Sequence, residues 1–172
     1  MKFDRARIGD IEALHALVES AYRGESAKRG WTHEADLLGG QRTDAKALRE
    51  IIAADNQVIL LAKDGKGIAG CVQLTYLGDG LAYLGLLTVD PALQAAGLGK
   101  ELLMRSEQFI RENWRAKAIE MTVIRQRTDL IAYYERRGYV RTGEHRPFPH
   151  DDPRFGRPKS AELEFAVLRK PI

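Results

Sequence analysis

Two glycines near the middle of the sequence have the spacing of a backbone that binds an anion. Gly97 and Gly99 end the pattern Gln-x-x-Gly-x-Gly at residues 94–99, between a predicted strand and a predicted helix. Unpaired N–H groups at a helix start attract anions, and glycine lets a phosphate approach the main chain. The pattern therefore predicts a phosphate or pyrophosphate loop that needs no metal. Taken alone, six such residues are more often just a tight turn from strand to helix.

Two other nucleotide-binding motifs fail on this sequence. A dinucleotide fingerprint would need a third glycine where Leu102 stands, and its literal match at residues 65–70 lies between two predicted strands with no helix after it. A P-loop would need Ser or Thr where Glu101 stands and a glycine where Gln94 stands. Neither a Rossmann domain nor a magnesium-dependent nucleotide enzyme is therefore expected.

The elements that must position the glycine loop follow from hydrophobic periodicity and turn residues, in the order βααβββαβαββ. Asp-Gly turns at residues 64–65 and 79–80 predict that three consecutive strands are antiparallel neighbours. The result is an α+β sheet that opens where this meander meets a strand–helix–strand crossover. The predicted strands cover residues 3–8, 57–63, 68–77, 81–89, 118–124, 139–142 and 162–168, and the helices begin near residues 10, 43, 98 and 128.

Composition limits the classes of protein that remain. The chain has 172 residues, a formal net charge of +3 and one cysteine, Cys71. This length predicts a single domain over residues 1–172. A lone cysteine and a charged N-terminal stretch without an apolar leader point to the cytoplasm. The small, dispersed charge suits an anionic ligand but no nucleic acid, and no apolar run is long enough for a membrane span.

Two longer stretches are similar to the GCN5-related N-acetyltransferase (GNAT) superfamily. They are LLTVDPALQAAGLGKELL at residues 86–103 and AYYERRGYVRTGE at residues 132–144, and the order of elements around them also agrees. The resemblance implies an α+β fold with a mixed, mostly antiparallel sheet of six to seven strands. It also implies about four flanking helices and a splayed central strand pair. The function implied is an acetyl-CoA-dependent N-acetyltransferase.

The resemblance assigns a cofactor site without metal. Leu87 and Val89 would bind the pantetheine or the acetyl carbonyl through their main chains, and Gly85 favours a bulge that splays the strand. Arg127 stands where many family members carry an asparagine that holds the pantetheine or a water. The backbone amides expected at the pyrophosphate are those of Gln94, Ala95, Ala96, Gly97, Leu98, Gly99 and Lys100.

The same resemblance makes Tyr134 the general acid that protonates the departing thiolate. A phenol near pKa ~10 and a thiol near ~8.5 are suitably matched. The base is open, because the strand before the glycine loop carries no carboxylate. Glu120 on the next strand is one candidate, although a solvated charge at a strand end is an equal interpretation. Glu34, His33 or bulk water are the others.

Two long loops, residues 23–44 and 145–158, are expected to bound the acceptor. Trp31 and Phe148 would form an apolar wall, and Glu34 would attract a cationic amine. Arg146 and Arg154 would instead suit a carboxylate. The acceptor expected is a small-molecule or amino-acid-like primary amine, and a homodimer is compatible with the resemblance. A catalytically weak sensor or regulatory domain that binds CoA or acyl-CoA is the alternative.

Overall fold

The computed structural model describes residues 1–31, 33–160 and 162–172. Within these ranges no helix is both long and apolar enough to cross a membrane. In chain order the elements are β1 (Lys2–Arg5), α1 (Ile11–Tyr22), α2 (Gly24–Ala27), β2 (Leu38–Gly39), α3 (Ala45–Ala53), β3 (Gln57–Asp64), β4 (Gly67–Gly78), β5 (Leu81–Val89), α4 (Leu98–Trp114), β6 (Ala118–Ile124), α5 (Thr128–Glu135), β7 (Val140–Pro147), β8 (Arg157–Pro158) and β9 (Glu164–Pro171).

The main sheet has the strand order β1-β3-β4-β5-β6-β9-β7. Every neighbouring pair is antiparallel except β5 and β6, which are parallel. The hairpins expected at the two Asp-Gly turns are present as β3–β4 and β4–β5. The expected α+β class, with a mixed and mostly antiparallel sheet, is therefore confirmed.

Helices cover both faces of this sheet. Leu98, Leu102 and Ile110 recur at helical spacing along α4 and pack, together with α5, against one face. Helices α1 and α3 bury their apolar stripes against the other face, where Ile59 and Leu61 of β3 meet them.

The centre of the sheet opens between β5 and β6. Among the residues described, these strands pair only over their first three residues. A bulge in the β4–β5 pairing follows, and there Leu86 has φ +52°. Ala82 and Leu84 pack with α4, whereas Leu86, two residues later, packs with α1, so the bulge turns the side chains over. The splayed strand pair expected from the resemblance is thus present.

The two long loops expected beside the acceptor are joined to each other. Strand β2 from the first loop pairs antiparallel with β8 from the second. The amide of Lys159 donates to the carbonyl of Leu37 at 2.9 Å, and its Nζ donates to the carbonyl of Ala35 at 2.6 Å. Neither short strand was expected, and β7 extends to Pro147, five residues beyond its expected end. The loops therefore form one connected wall.

Candidate active site

Two cavities flank the opening in the sheet. The α4 cavity, of about 180 Å³, is lined by Trp31, Leu87, Val89, Gln94, Gly97, Gly99, Lys100, Tyr133 and Arg137, among others. The β6 cavity, of about 320 Å³, is lined by Arg23, Glu34, Arg42, Tyr83, Thr122, Arg127, Phe148 and Phe165, among others. Tyr22, Leu87, Leu130 and Tyr134 line both cavities. The cavities therefore meet at these side chains.

The N-terminus of α4 forms the floor of the α4 cavity. Gly97 caps the helix with φ +86°, and open space surrounds the position a Cβ would take. The first intrahelical bond runs from the amide of Glu101 to the carbonyl of Gly97, so the amides of residues 98–100 have no partner within the helix. At Gly99 a Cβ would lie 3.1 Å from the hydroxyl of Tyr133, so a larger residue would crowd this part of the cavity. This geometry suits an anion.

Not every residue of the expected pyrophosphate loop lies in the α4 cavity. Gln94, Ala95, Gly97, Gly99 and Lys100 line it, whereas Ala96 and Leu98 do not. The amide of Ala96 donates to the carbonyl of Leu93 at 3.4 Å, and the side chain of Leu98 is buried in the core. For Leu98 only the main chain is placed to meet a ligand. Ala96 is the member of the expected set that the geometry supports least.

The side chain of Gln94 connects the first long loop to the end of β5. Its Oε1 accepts from the amide of Trp31 at 2.8 Å, and its Nε2 donates to the carbonyl of Val89 at 3.2 Å. A Cβ at Gly30 would collide with this side chain. The hydroxyl of Tyr22 likewise donates to the carbonyl of Leu87. A ligand along β5 therefore adds to these side-chain bonds or displaces them.

Tyr134 stands where the two cavities meet. Its side chain is buried, and its ring packs between those of Tyr133, at 5.4 Å, and Tyr139, at 5.9 Å. Among the described residues, none forms a hydrogen bond with its hydroxyl, which leaves that group available to a ligand. Burial strongly raises the pKa of this hydroxyl, and Arg127 opposes the shift only in part. The phenol therefore keeps its proton throughout the neutral range.

The geometry does not suit Glu120 as a general base. Its buried carboxylate accepts from Arg146 at 2.8 Å on one oxygen and from Arg169 at 2.7 Å on the other. Burial alone would raise its pKa, but the two arginines outweigh burial and lower the pKa below its usual value. The side chain lines neither cavity. Its contacts instead connect β6 to β7 and β9.

Arg127 was expected beside the cofactor, but its side chain lies in the β6 cavity. Its Nη1 is 3.4 Å from Oε1 of Glu34, while Arg23 donates to Oε2 of Glu34 at 2.6 Å. Burial would raise the pKa of Glu34, but Arg42, Arg127 and Arg23 together lower it. Glu34 is therefore an ionised, arginine-bound carboxylate and a weak base.

His33, the other candidate base from the first long loop, lines neither cavity. Its Nδ1 accepts a hydrogen bond from the amide of Ala35.

Trp31 also lies on a different side from the one expected. It lines the α4 cavity, and its ring centroid is 5.3 Å from that of Tyr133. The reason is the bond between its amide and Gln94, which holds this part of the loop against β5. Phe148 does line the β6 cavity, where it is buried and packs on Phe165 at 5.4 Å. Of the two expected wall residues, Phe148 alone lines the β6 cavity.

Sequence reasoning missed Arg137 and treated Tyr133 as a packing residue. Both line the α4 cavity. The guanidinium of Arg137 lies 3.4 Å from the ring centroid of Tyr133 and donates to its carbonyl at 2.6 Å. The only sequence signal was the position of Arg137, one helical turn after Tyr133 and Tyr134 in the second motif. The arrangement adds a cation to the cavity that the α4 N-terminus makes attractive to anions.

Two arginines considered for a carboxylate-bearing acceptor are already neutralised. Arg146 forms ion pairs with Glu120 and Glu144, and Arg154 forms one with Asp152 at 2.6 Å. Within the described parts of the chain, no group of three or more His, Cys, Asp or Glu side chains is placed to hold a metal ion.

A family model for the acetyltransferase (GNAT) family matches residues 12–139, which include the glycine loop and Tyr134. The chain belongs to the GNAT acetyltransferase family. The expected enzyme class, N-acetyltransferase, is confirmed by this match, and GNAT enzymes use acetyl-CoA. A search of curated proteins finds no match.

Solved structures similar to this GNAT chain share its fold at low sequence identity. Ribosomal-protein-alanine N-acetyltransferase from Brucella melitensis has a TM-score of 0.72 and 15% identity, covering 100% of both chains. A mutant spermidine N-acetyltransferase from Vibrio cholerae has a TM-score of 0.69 and 13% identity, covering 99% of this chain and 95% of the other. A candidate streptothricin acetyltransferase from Bacillus anthracis str. Ames, in complex with acetyl coenzyme A, has a TM-score of 0.59 and 21% identity. The match covers 72% of this chain and 67% of the other.

Proposed function

We propose that this GNAT enzyme moves the acetyl group of acetyl-CoA to the primary amine of a small-molecule or amino-acid-like acceptor, by direct attack on the thioester. The observation that carries the proposal is the position of Tyr134, a buried phenol at the junction of the α4 and β6 cavities. The α4 cavity suits a phosphate-bearing cofactor, and the β6 cavity leaves room for a second substrate.

The residues of the α4 cavity fit acetyl-CoA. The unpaired amides at the start of α4 would hold the pyrophosphate, and Arg137 would add a positive charge beside it. The main chain of β5 at Leu87 and Val89 would run beside the pantetheine, since the splay leaves this part of the strand unpaired with β6. The bound cofactor supplies the activated acetyl thioester.

The side chains suggest how protons move. Tyr134 keeps its proton at neutral pH because burial raises its pKa, so it can donate that proton to the departing thiolate. The acceptor amine loses its proton to solvent, because arginines hold both Glu34 and Glu120 in the ionised form with lowered pKa values. No side chain of the chain is assigned as the base.

We also propose that residues 1–172 act as one N-acetyltransferase domain in the cytoplasm. Strands from both ends of the chain, β1 and β9, lie in the same sheet, which supports a single unit. The lone Cys71 is buried and makes no disulfide, in keeping with a reducing compartment. A homodimer is the assembly proposed, and analytical ultracentrifugation would detect it.

An acyl-CoA sensor is the second candidate, because neither carboxylate near the site is free to act as a base. An assay of CoA thiol release separates the two functions. The enzyme is incubated with acetyl-CoA and a panel of primary amines, and N-acetyl products are confirmed by mass. Release that requires an amine supports the transferase. Tight acetyl-CoA binding with no release above hydrolysis on any amine would favour the sensor.

A further inference from the structure

The β6 cavity carries more positive than negative charge. Its charged lining residues, among those described, are the three arginines Arg23, Arg42 and Arg127 and the single carboxylate of Glu34. Glu34 lies in an ion pair with Arg23 and another with Arg127. Two guanidinium charges therefore exceed what the lining carboxylate can neutralise.

Arg127 is a buried arginine whose hydrogen-bonding capacity is only partly used. Its side chain is only 6% exposed, yet Nη2 is buried with no hydrogen-bond partner in the described structure. Its other terminal nitrogen, Nη1, reaches Glu34 at 3.4 Å. A buried guanidinium N–H without an acceptor is costly, because it has lost its hydration without replacement. An anion in the cavity would remove this cost.

Arg42 supplies a second positive charge to the β6 cavity. It makes no ion pair within the described chain, and its guanidinium lies 5.3 Å from the ring centroid of Tyr22. Its main chain is fixed, because Glu19 accepts hydrogen bonds from the amides of Arg42 and Thr43. That carboxylate does not line the cavity. Arg42 is therefore held at the cavity without a direct ion pair, although its charge helps to lower the pKa of Glu34.

A cationic acceptor does not suit this cavity. The lining carboxylate that could attract such an acceptor, Glu34, is already bound by two arginines. The positive charge of the acceptor would also be repelled by Arg42 and Arg127. The remaining wall is apolar or neutral, with Phe148, Phe165 and Thr122. The balance of charge favours an anion in the cavity that opens onto Tyr134.

We propose that the acceptor is an amine that also carries a carboxylate, with the carboxylate bound by Arg127 and Arg42 and the amine directed to Tyr134. The inference rests on the proposed function and narrows its substrate class to amino carboxylates. Arg127 caps the start of α5, and Tyr134 lies seven residues further along that helix. At 1.5 Å per residue, the two main-chain positions are about 10 Å apart. An acceptor that reaches both side chains must therefore have its carboxylate and its amine within about this distance of each other.

The first test uses matched acceptors with the holoenzyme. Amino acids with α-, γ- and ε-amino groups are compared with their own carboxamides and with spermidine, at saturating acetyl-CoA. The amino carboxylates should have kcat/KM values at least about tenfold above those of their carboxamides. A tenfold ratio corresponds to the free energy of one charge-assisted hydrogen bond. Equal or higher kcat/KM for the carboxamides or for spermidine would overturn the inference.

Variants locate the effect. Arg127→Gln and Arg42→Gln should each raise KM for the amino carboxylate by about tenfold or more while changing KM for the carboxamide by no more than about twofold. Arg141→Gln is the matched control, since Arg141 is exposed and pairs only with Glu135 among the described residues. Arg42→Gln keeps the test valid if loss of Arg127 disturbs the fold around Glu34. Equal losses on both acceptors would contradict the assignment.

A binding measurement separates failure of this inference from failure of the proposed function. Turnover of amines without any carboxylate preference would overturn the inference and leave the acetyltransferase intact. If no amine is acetylated, the proposed function fails, and calorimetry of N-acetyl amino acids against their amides, in the presence of CoA, tests the cavity itself. Selective binding of the carboxylate that Arg42→Gln abolishes supports the anion site. Equal or absent binding refutes it.

Discussion

Three neighbouring tyrosines show how position changes the chemistry of one residue type. Tyr133 lines the α4 cavity beneath Arg137, and Tyr139 is buried with its hydroxyl 3.3 Å from Glu107. Tyr134 between them lines both cavities and has no partner for its hydroxyl among the described residues. The ring contacts are similar, so the hydroxyl environment decides which tyrosine can act as an acid.

Replacing Tyr134 by Phe removes a proton donor and keeps the ring. We expect kcat to fall about 100-fold or more, because a general acid contributes this much, while the Kd for acetyl-CoA stays unchanged. Steady-state kinetics and calorimetry give the two values. Tyr139→Phe is the control, since it also deletes a buried hydroxyl but should lower only thermal stability. Unchanged turnover in Tyr134→Phe would make this tyrosine a packing residue.

The pH dependence of the wild-type enzyme follows from the same hydroxyl. The raised pKa keeps Tyr134 protonated through and beyond its ordinary value of about 10, so the acid form is not lost in the working range. The rate should rise with pH as the acceptor amine deprotonates and should then level off. We expect no descending limb up to about pH 10. A fall between pH 8 and 10 that Tyr134→Phe abolishes would show that the phenol ionises there.

At the residue scale the sequence singled out Tyr134 and the glycine loop because both belong to short local motifs, and the structure brings them to one cavity. It misplaced Arg127 and Trp31, whose side chains lie on the opposite side of Tyr134 from the one expected. Their positions depend on Glu34 and Gln94, which are distant in sequence. Such partners are fixed by tertiary packing, which a motif does not encode.

At the scale of elements, the N-terminus of α4 has a measurable role. Gly97→Glu should weaken acetyl-CoA binding by about 100-fold or more, because it places a carboxylate where the helix dipole and free amides favour an anion. Gly143→Glu is a close control. Both glycines have a left-handed φ, +86° and +83°, and both have open space at Cβ, so the backbone cost of about 1–2 kcal/mol is shared.

Calorimetry with acetyl-CoA, alongside thermal melts of both glycine variants, distinguishes binding from stability. The two variants should melt at similar temperatures, and only Gly97→Glu should lose the ligand. Equal affinity in both would mean that the start of α4 does not meet the cofactor.

Elements with strong local signals were predicted closely, and paired loops were not. The Asp-Gly turns at residues 64–65 and 79–80 fixed the order β3-β4-β5 from sequence alone. The splay of β5 followed from the family resemblance and is seen as the bulge at Leu86. Strands β2 and β8 have two residues each and pair across more than a hundred residues of chain. A pattern of two residues has no periodicity, so no sequence argument could find them.

At the scale of the whole molecule, arginine-bound carboxylates connect stability to pH. The pKa values of Glu34 and Glu120 are lowered against the effect of burial by their arginines, and that of Asp10 is lowered against it by Lys63. A carboxylate with a folded pKa below its unfolded value, about 3.9 for Asp and 4.3 for Glu, stabilises the fold above that value. The stabilisation is lost as the pH falls through the folded values. We therefore expect the free energy of unfolding to decrease below about pH 4.5.

Glu34→Gln isolates one of these carboxylates. At pH 7 it should lower the free energy of unfolding by roughly 3 kcal/mol, because Arg23 and Arg127 lose their buried partner. Its stability should then change less than that of the wild type between pH 5 and 3. Urea titrations across this range provide the measurement. Glu50→Gln, at an exposed site facing Lys46, should match the wild type, and a neutral effect of Glu34→Gln would refute the buried network.

The central claim is that acetyl-CoA occupies the α4 cavity with its thioester at the junction with the β6 cavity. A crystal structure of the complex with acetyl-CoA tests it most directly. We predict the pyrophosphate within hydrogen-bond distance of the amides of residues 97–100, and the sulfur within about 3–4 Å of the Tyr134 hydroxyl. A cofactor that places its pyrophosphate away from α4, or its sulfur on the far side of the sheet from Tyr134, would contradict the account.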